Sequence, residues 1–580
     1  MKELQHLNKY FYKYRTQIII GVLITIVSKL FTVFVPKFIG SIIDVVNDQL
    51  QNPESSEAAY KAKLLRYILF LVGSAILSGI LTFWMRQTII NVSRYIEYDL
   101  KNEIYQQYQK LSLNFYKKNR TGDLMNRISE DVTKVRMYTG PAIMYSINTL
   151  TLFIVALVFM FRQAPMLTLY TIIPLPILSI IIYKISSEIH KRSTIVQQYL
   201  SKLSTFSQET FSGISVIKAY GIEPQTSASF NELSETNKEK QLSLVRIQAL
   251  FFPMMILLIG LSNVLVIYIG GKQYMNGEIS LGTISEFIMY VNLLTWPVAT
   301  VGWVTSIVQE AEASQNRINE FLKTEPEIQN NNTELSEIKG EIEFKEVSFT
   351  YDDTNIQALK NVSFKVKSGQ TLAVIGKTGS GKSTILDLVG RLYDVDHGTI
   401  LIDQKPIETL NLYSLRDATG YVPQDAFLFS DSINNNIKFG KENATDQEVI
   451  EAAKLAQVHK NIVKFNKQYD TVLGERGITL SGGQKQRVSI ARAIIKKPQI
   501  MLFDDCLSAV DTETEEKILN NLKTITKGKT TIIVSHRISS AKNADQIIVL
   551  DDGQIVQSGT HEDLINTDGY YKDLYLKTTK

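Results

Sequence analysis

Long apolar stretches dominate the first half of the chain, and polar residues are gathered into the segments between them. Each stretch is close to the ~20 residues that an α-helix needs to cross a ~30 Å hydrocarbon core. So many runs of this length favour membrane spans over the buried helices of a large soluble protein. The six predicted spans are Ile18–Val35, Tyr67–Met85, Ala142–Phe161, Met166–Tyr183, Leu250–Ile269 and Ile284–Thr305.

Lysine and arginine are unevenly distributed among the segments between these spans. They accumulate after the second and the fourth span and are sparse in the other connectors. Because cytoplasmic loops carry the excess of Lys and Arg, these two connectors and both termini are predicted to be cytoplasmic. The aromatic and basic tract Lys2–Tyr14 suits an amphipathic helix at the same membrane surface.

Both basic connectors are long and nearly free of Pro and Gly. We therefore expect helices that continue out of the membrane. Each connector has one turn-like interruption, at Lys117–Asp123 in the first and at Phe211–Pro224 in the second. Gly, Asn and Pro at these places predict a tip between two helical arms. Such a tip is either an ordinary hairpin or a short helix that docks on a second domain.

The pattern changes in the second half, where short β-rich runs alternate with helical ones. This alternation is typical of an α/β domain with buried parallel strands, preceded here by an antiparallel strand region. The polar, Asn-rich stretch Gln329–Leu335 suits a linker. We predict a helical transmembrane domain over 1–325, a linker over 326–339 and an α/β domain over 340–580. The predicted strands are Phe344–Phe349, Thr371–Ile375, Ile500–Phe503, Thr530–Val534 and Gln546–Leu550.

A glycine-rich stretch fits the phosphate-loop motif G-x-x-x-x-G-K-[ST]. It lies directly after the predicted strand Thr371–Ile375 and before a predicted helix over Ile385–Leu392. Its glycines let backbone N–H groups turn toward an anion, and the helix N-terminus adds its positive end. Lys382 can reach the β- and γ-phosphates of ATP, and the Ser383 hydroxyl can ligate Mg²⁺. The predicted nucleotide-binding residues of this loop are Gly376, Lys377, Thr378, Gly379, Ser380, Gly381, Lys382, Ser383 and Thr384.

Two carboxylates follow the apolar strand Ile500–Phe503. Open α/β sheets bind their ligands at the carboxyl ends of the strands, so this is where acidic side chains meet a nucleotide. Asp504 is expected to hold Mg²⁺, and Asp505 is expected to polarise the attacking water. The cofactors predicted from these two motifs are ATP and Mg²⁺, in a P-loop NTPase domain.

A second motif, Leu480-Ser481-Gly482-Gly483-Gln484, precedes the Asp504 strand by a short helix. It resembles the signature of ATP-binding-cassette (ABC) proteins. The resemblance implies further roles: Tyr351 is similar to the aromatic residue that stacks on adenine, and His536 to the switch histidine at the γ-phosphate. Gln424 resembles the glutamine that senses Mg²⁺ and the transmembrane domain. Together with the predicted membrane spans, the resemblance covers essentially the whole chain. The chain is similar to a half-transporter of the type IV, multidrug-like ABC exporters.

Two shorter elements extend the resemblance. Gly474–Gly477 is similar to a loop that exporters carry before the signature, and Ser508–Asp511 to the loop that crosses the dimer interface. In this family two cassettes bind head to tail, and each signature closes the partner's nucleotide site. Ser481, Gly482, Gly483 and Gln484 are thus expected to contact the nucleotide of a second half-transporter.

Asp505 departs from the family pattern, which has Glu directly after the Walker B aspartate. Asp is one methylene shorter, so its carboxylate falls about 1–1.5 Å short of the water, and such a displacement can cost about 10²-fold in rate. The signature, however, is intact. This combination resembles the degenerate-site subunit of heterodimeric bacterial multidrug exporters, whose partner supplies the catalytic Glu. Catalytic roles are accordingly expected for Asp505, His536 and Gln424, and metal-binding roles for Ser383, Gln424 and Asp504.

Composition excludes several other classes of protein. The net charge of +4 and pI near 8.6 are too weak a bias to indicate nucleic-acid binding. The single cysteine, Cys506, excludes an internal disulfide and zinc sites built on several cysteines. The histidines show no metal-ligand spacing.

The membrane half carries one candidate substrate residue. Lys29 lies near the middle of the first span, where it either attracts a polar or anionic substrate group or pairs structurally with another helix. The function predicted from all these features is ATP-driven export of amphipathic compounds across the cytoplasmic membrane. A homodimeric lipid exporter and a nucleotide-gated channel or regulatory subunit stay as alternatives, and a soluble DNA-repair-type ATPase is excluded by the spans.

Overall fold

The computed structural model describes residues 2–51, 57–474, 477, 480–506, 512–525 and 527–578. The chain forms two compact units. The first consists of Met1–Gln109 and Gly122–Thr324, and the second of Lys110–Thr121 and Glu325–Lys580. The short segment Lys110–Thr121 therefore groups with the second unit, although the helices on either side of it belong mainly to the first.

The first unit is helical throughout. The aromatic N-terminal tract forms a 3₁₀ turn, Glu3–Leu7, followed by α1, so the helical conformation predicted for this tract is present. The helices up to residue 322 are α1 Asn8–Lys13, α2 Arg15–Gln51, α3 Glu57–Lys110, α4 Leu113–Lys118, α5 Thr121–Asn126, α6 Val132–Met137, α7 Ile143–Gln163, α8 Pro165–Ile172, α9 Pro174–Ser212, α10 Ile214–Tyr220, α11 Glu223–Gln248, α12 Phe251–Met275 and α13 Leu281–Leu322.

Five helical stretches of the described chain are long and apolar enough to cross a membrane. They contain five of the predicted spans. The remaining one, Met166–Tyr183, is divided between α8 and α9 at Ile173. Pro174 supplies no N–H to the helical ladder, so an apolar run that was expected to form one helix forms the end of one and the beginning of the next. The five stretches are Arg15–Gln51, Glu57–Lys110, Thr121–Gln163, Glu223–Met275 and Leu281–Leu322.

The expected helical extensions and their tips are present. α3 has 54 residues and α9 has 39, well beyond the length of their apolar parts. In the first connector α4 ends at Lys118 and α5 begins at Thr121. In the second, α10 ends at Tyr220 and is capped by Gly221, whose φ of +64° is a left-handed conformation that favours glycine.

Close packing between α2 and α13 holds the first unit together near its loop end. A Cβ on Gly282 would lie 2.1 Å from the carbonyl oxygen of Gly40. The two helices can therefore approach this closely only because both positions are glycine. Asp44 accepts hydrogen bonds of 2.7 Å from the Gly282 N–H and from the Ser280 hydroxyl. Further along α13, the buried rings of Phe287 and Tyr290 fill the interior of the helical bundle.

Two sheets make up the second unit. One is antiparallel with the strand order β2-β1-β4-β5, and the other has six strands in the order β10-β9-β3-β8-β7-β6. All pairs of the second sheet are parallel except β10 with β9. The predicted strands are confirmed as β1, β3, β7, β8 and β9, and the others were not predicted. The strands are β1 Ile342–Tyr351, β2 Ile356–Val366, β3 Thr371–Gly376, β4 His397–Ile402, β5 Lys405–Pro406, β6 Thr419–Val422, β7 Ile500–Asp504, β8 Thr530–Val534, β9 Gln546–Asp551 and β10 Gln554–Gly559.

Helices cover the parallel sheet, as continuous apolar strands such as β3 and β7 require. Because β3, β8 and β7 are parallel neighbours, their carboxyl ends meet at one edge of the sheet. The helices of this unit after the linker are α14 Lys382–Val389, α15 Leu412–Asp417, α16 Ile433–Lys438, α17 Asp446–Leu455, α18 His459–Ile462, α19 Gly482–Ile495, α20 Thr512–Ile525, α21 Ile538–Ala541, α22 His561–Asn566 and α23 Tyr570–Thr578.

Candidate active site

The phosphate loop lies between the end of β3 and the start of α14. Gly379 and Gly381 have φ angles of +81° and +94°, in the left-handed region that favours glycine. A Cβ on Gly381 would also lie 2.2 Å from the carbonyl oxygen of Ala358, so the loop has no room for a side chain there. The loop is therefore shaped by its glycines, as the motif predicts.

The loop holds a buried cationic side chain and a buried hydroxyl. Lys382 is 6% exposed, and its Nζ donates to the carbonyl oxygens of Gly376 (3.0 Å) and Lys377 (2.6 Å). The Ser380 hydroxyl is buried and has no hydrogen-bond partner among the described residues. A buried, unsatisfied donor beside a buried ammonium and a helix N-terminus fits an anion such as a phosphate.

Ser383 and Asp504 meet at the edge of the sheet. The Ser383 hydroxyl donates a 2.8 Å hydrogen bond to Asp504 Oδ1, and Asp504 is 5% exposed. Burial raises the pKa of the Asp504 carboxyl, and the bond from Ser383 opposes that rise. The two predicted metal ligands from different elements are thus brought together.

Asp505 and His536 lie at the same edge. Asp505 follows β7 in a left-handed conformation with φ of +40°, and its N–H donates to the carbonyl oxygen of Val534 at 2.9 Å. Burial lowers the pKa of Lys382, and the charges of Asp505 and Asp504 oppose this shift. The charge of His536, just after β8, is one of the influences that oppose the rise in the pKa of Asp504. Four residues predicted to lie around the phosphates of the nucleotide therefore form one group: Lys382, Asp504, Asp505 and His536.

Tyr351 lies at the other end of the candidate site. Its hydroxyl is 3.0 Å from Thr384 Oγ1 on α14, so β1 and the phosphate loop are linked directly. The ring contacts Phe349 and Tyr393 edge to face, with centroid distances of 4.9 and 5.5 Å. The predicted adenine-stacking residue is thus placed beside the loop that would hold the phosphates.

Gln424 follows β6 and its side chain is exposed to solvent. Two residues of α19 fix the loop that carries it. Buried Gln486 donates to the carbonyl oxygens of Pro423 and Gln424, both at 3.0 Å, and Arg492 donates to that of Phe427 at 2.9 Å. The sequence reasoning assigned no role to Gln486 or Arg492. The signal that could have identified them is their position in the stretch Gln486–Ile495 of α19, most of whose residues are buried.

The signature lies at the N-terminus of α19. Ser481 and Gln484 form reciprocal side-chain to backbone hydrogen bonds of 3.4 and 3.0 Å that cap this helix. Ser481 and Gly482 are exposed, and a Cβ on Gly482 would have no neighbour within 4 Å. In the flanking loops, Glu475, Arg476 and Ser508–Asp511 lie outside the described residues.

A phosphate loop at the edge of a parallel sheet, in one chain with long apolar helices, defines an ATP-binding domain joined to a membrane region. The profile of the ABC transporter transmembrane region matches residues 18–298, and that of the ABC transporter domain matches residues 359–508. The chain belongs to the ABC transporter family and has the fold of its exporters. It is a membrane-spanning ATP hydrolase coupled to transport.

Relatives are similar over almost the full length. The multidrug resistance-like ATP-binding protein MdlA of Escherichia coli (strain K12) is 35% identical over 99% of this chain and 96% of its own length. The probable multidrug resistance ABC transporter ATP-binding/permease protein YheI of Bacillus subtilis (strain 168) is 36% identical over 99% and 97%. The ATP-dependent lipid A-core flippase of Syntrophus aciditrophicus (strain SB) is 35% identical over 89% and 86%.

The fold also matches a solved structure. A bacterial Atm1-family ABC exporter with ATP bound is 26% identical, with a TM-score of 0.82 over 98% of this chain and 99% of the other. The predicted architecture, a helical membrane domain followed by an α/β ATP-binding domain, is confirmed by this likeness and by the family profiles.

Proposed function

We propose that the chain is one half of a dimeric exporter that moves amphipathic compounds across the cytoplasmic membrane, with one weakened ATP site. The observation that carries the proposal is the pairing of a complete phosphate loop and an intact signature with Asp505 at the position of the catalytic carboxylate. Two relatives with multidrug resistance in their names match the whole chain, which favours drug-like cargo.

Two exposed features support a partner cassette. The first is the signature, whose helix N-terminus at Ser481 and Gly482 is open to solvent and suits an anion. The second is α10, which has no buried residue and carries Tyr220, 78% exposed, while Phe211, near the end of α9, is 73% exposed. A short helix with bare aromatic side chains at a cytoplasmic tip suits insertion into a second subunit.

The shorter side chain of Asp505 favours a partner half-transporter that differs in sequence from this chain. Its backbone is fixed by the bond from its N–H to Val534, so the strand cannot advance to compensate for the shorter side chain. A misplacement of about 1 Å can cost about 10²-fold in rate. A second half-transporter with Glu at this position would supply the competent base, while Ser481–Gln484 of this chain would complete that site.

Each residue of this chain's own site has a distinct task in the proposal. Ser383 and Asp504 supply hard oxygen ligands that suit Mg²⁺, with Gln424 completing the set, and bound Mg²⁺ would neutralise charge on the β- and γ-phosphates. Lys382 would leave its carbonyl partners for these phosphates. Asp505 would orient the attacking water and His536 would contact the γ-phosphate. Tyr351 would stack on the base.

The proposal includes the arrangement in the membrane. The lysine- and arginine-rich connectors support a cytoplasmic location for both termini and the ATP-binding domain. The transmembrane domain would cover 1–325 and the ATP-binding domain 340–580, joined by a linker over 326–339. Lys29 is half-buried on α2, which leaves open both a cavity role and a structural one.

A second function has specific support. The lipid A-core flippase relative is nearly as similar as the multidrug relatives, so a homodimeric exporter of lipids is the alternative. Lipids and drugs share an amphipathic chemistry, and cargo must therefore be decided by transport.

Inside-out vesicles containing this chain with its native partner test the proposal. We expect ATP-dependent uptake of a fluorescent amphipathic dye against its gradient, and loss of that uptake when both phosphate-loop lysines, Lys382 and the partner's counterpart, are changed to Ala. Movement of a fluorescent lipid without dye uptake would favour the alternative. Flux that ATP permits but that never exceeds equilibrium would refute an exporter and indicate a channel.

A further inference from the structure

The segment between α3 and α5 belongs to the same unit as the ATP-binding domain, and α4 is fixed on it by hydrogen bonds. Asn114, buried, donates to Glu327 at 2.9 Å and to Asp352 at 3.1 Å. Ser112 donates to the same Glu327 at 2.9 Å, and Lys118 pairs with Asp352 at 3.3 Å. The helix is therefore anchored directly beside Tyr351, which precedes Asp352.

One side chain of α4 reaches over the tyrosine. Lys117 Nζ lies 4.4 Å from the centroid of the Tyr351 ring and 5.0 Å from that of Tyr393. Both distances are within the range of a cation–π contact. Lys117 also acts on the half-buried carboxyl of Asp387, on α14, where its positive charge works against the rise of that group's pKa. The ammonium is thus attracted to this place from two sides.

The surroundings of Tyr351 decide what an incoming base would displace. Phe349 and Tyr393, at 5% and 6% exposure, are part of the core of the domain and cannot leave. The Tyr351 hydroxyl is held by Thr384. Lys117 is the exposed member of this set of ring neighbours. Stacked rings need atoms about 3.5–4.0 Å apart, so a base and an ammonium 4.4 Å above one ring compete for the same space.

We propose that Lys117 covers the base-stacking face of Tyr351 until the base of a nucleotide displaces it, so that α4 registers whether a base is bound. The inference rests on the proposed role of Tyr351. Phosphates alone would not displace Lys117, because its contact is with the ring and not with the phosphate loop. The expected ligand is therefore a complete nucleoside triphosphate, and the effect is specific to its base.

Lys117→Met tests the competition, since it removes the charge and keeps most of the length of the side chain. The purified full-length protein is titrated calorimetrically with Mg²⁺ and either a non-hydrolysable ATP analogue or inorganic tripolyphosphate. Loss of the cation–π contact is expected to tighten binding of the ATP analogue about three- to thirtyfold and to leave tripolyphosphate unchanged. Lys118→Met, on the same helix but paired with Asp352, is the matched control and should change neither ligand.

Further variants separate the two layers of the argument. Tyr351→Ala should weaken binding of the ATP analogue and not of tripolyphosphate, and in that background Lys117→Met should have no effect. If Tyr351→Ala weakens binding but Lys117→Met or Lys117→Gln fails to tighten it, the cover is refuted while the stacking role stands. If Tyr351→Ala changes neither ligand, the proposed stacking role fails and the cover fails with it. Equal tightening of both ligands by Lys117→Met would also overturn the inference.

Discussion

Asp387 gives a prediction whose size follows from the structure. It lies on α14, one turn beyond the phosphate loop, and accepts a weak 3.4 Å hydrogen bond from Tyr421. Burial raises the pKa of this carboxyl from 3.8 to about 6, against the opposing charge of Lys117. The native protein therefore keeps a proton that the unfolded chain releases between these two values. The stability of the native protein should fall as the pH rises through this window, because the half-buried carboxyl must then ionise.

Asp387→Asn removes that penalty and keeps the shape and the acceptor for Tyr421. At pH 7.5 Asp387 is ionised in both the folded and the unfolded wild type, and a pKa shift from 3.8 to about 6 then lowers the free energy of unfolding by about 3 kcal/mol. At pH 5 the loss is about half as large. For a domain of this size, 3 kcal/mol raises the melting temperature by about 6–12 °C. The variant should thus be more stable than wild type at pH 7.5, with a smaller difference at pH 5.

Calorimetry of the nucleotide-free full-length protein measures these differences. Cys506, the single cysteine, is buried in the ATP-binding domain, so its reaction with a maleimide identifies which transition belongs to this domain. Asp417→Asn is the control, since that side chain is 90% exposed. An Asp387→Asn variant that gains no stability at pH 7.5, or gains equal stability at both pH values, would refute a raised pKa for the half-buried Asp387 carboxyl.

The remaining predictions concern the proposed composite sites. Ser481→Arg should abolish most ATP hydrolysis by the dimer although this chain's own phosphate loop is intact, and full phosphate release by this variant would contradict the head-to-tail arrangement. Asp505→Ala, combined with an unmodified partner, should reduce the rate of ATP hydrolysis less than twofold. The same change at the partner's Glu position should reduce it about 10²-fold or more. A large loss from Asp505→Ala would instead mean that this site is competent.

Much of the fold was predictable because its signals are strong and local. Apolar runs of membrane-spanning length identify the long helices, and continuous apolar runs identify the buried strands β3 and β7. The fourth span was predicted as one helix because hydropathy averages over Pro174, whose missing N–H divides α8 from α9. Strand β6 was not predicted because it has only four residues, and β10 because it alternates exposed and half-buried positions at the sheet edge.

The candidate site shows a similar division. The phosphate loop and the Ser383–Asp504 pair follow from motifs at the carboxyl ends of β3 and β7, parallel strands of one sheet with β8 between them, so their meeting was predictable. The support of the Gln424 loop by Gln486 was not, because it joins residues 62 positions apart through a backbone carbonyl that no side-chain pattern reveals. The grouping of α4 with the ATP-binding domain likewise depends on hydrogen bonds to Glu327 and Asp352, far along the chain.

The central claim is that this chain forms its ATP-hydrolysing dimer with a second, different half-transporter. Isolation of the tagged chain from its native membrane in mild detergent, followed by mass analysis and an ATPase assay, tests it most directly. We expect a second half-transporter in equal amount, with Glu at the position that corresponds to Asp505, and hydrolysis that is brisk for the pair and slow for this chain expressed alone. A preparation that contains only copies of this chain and hydrolyses ATP rapidly would contradict the claim.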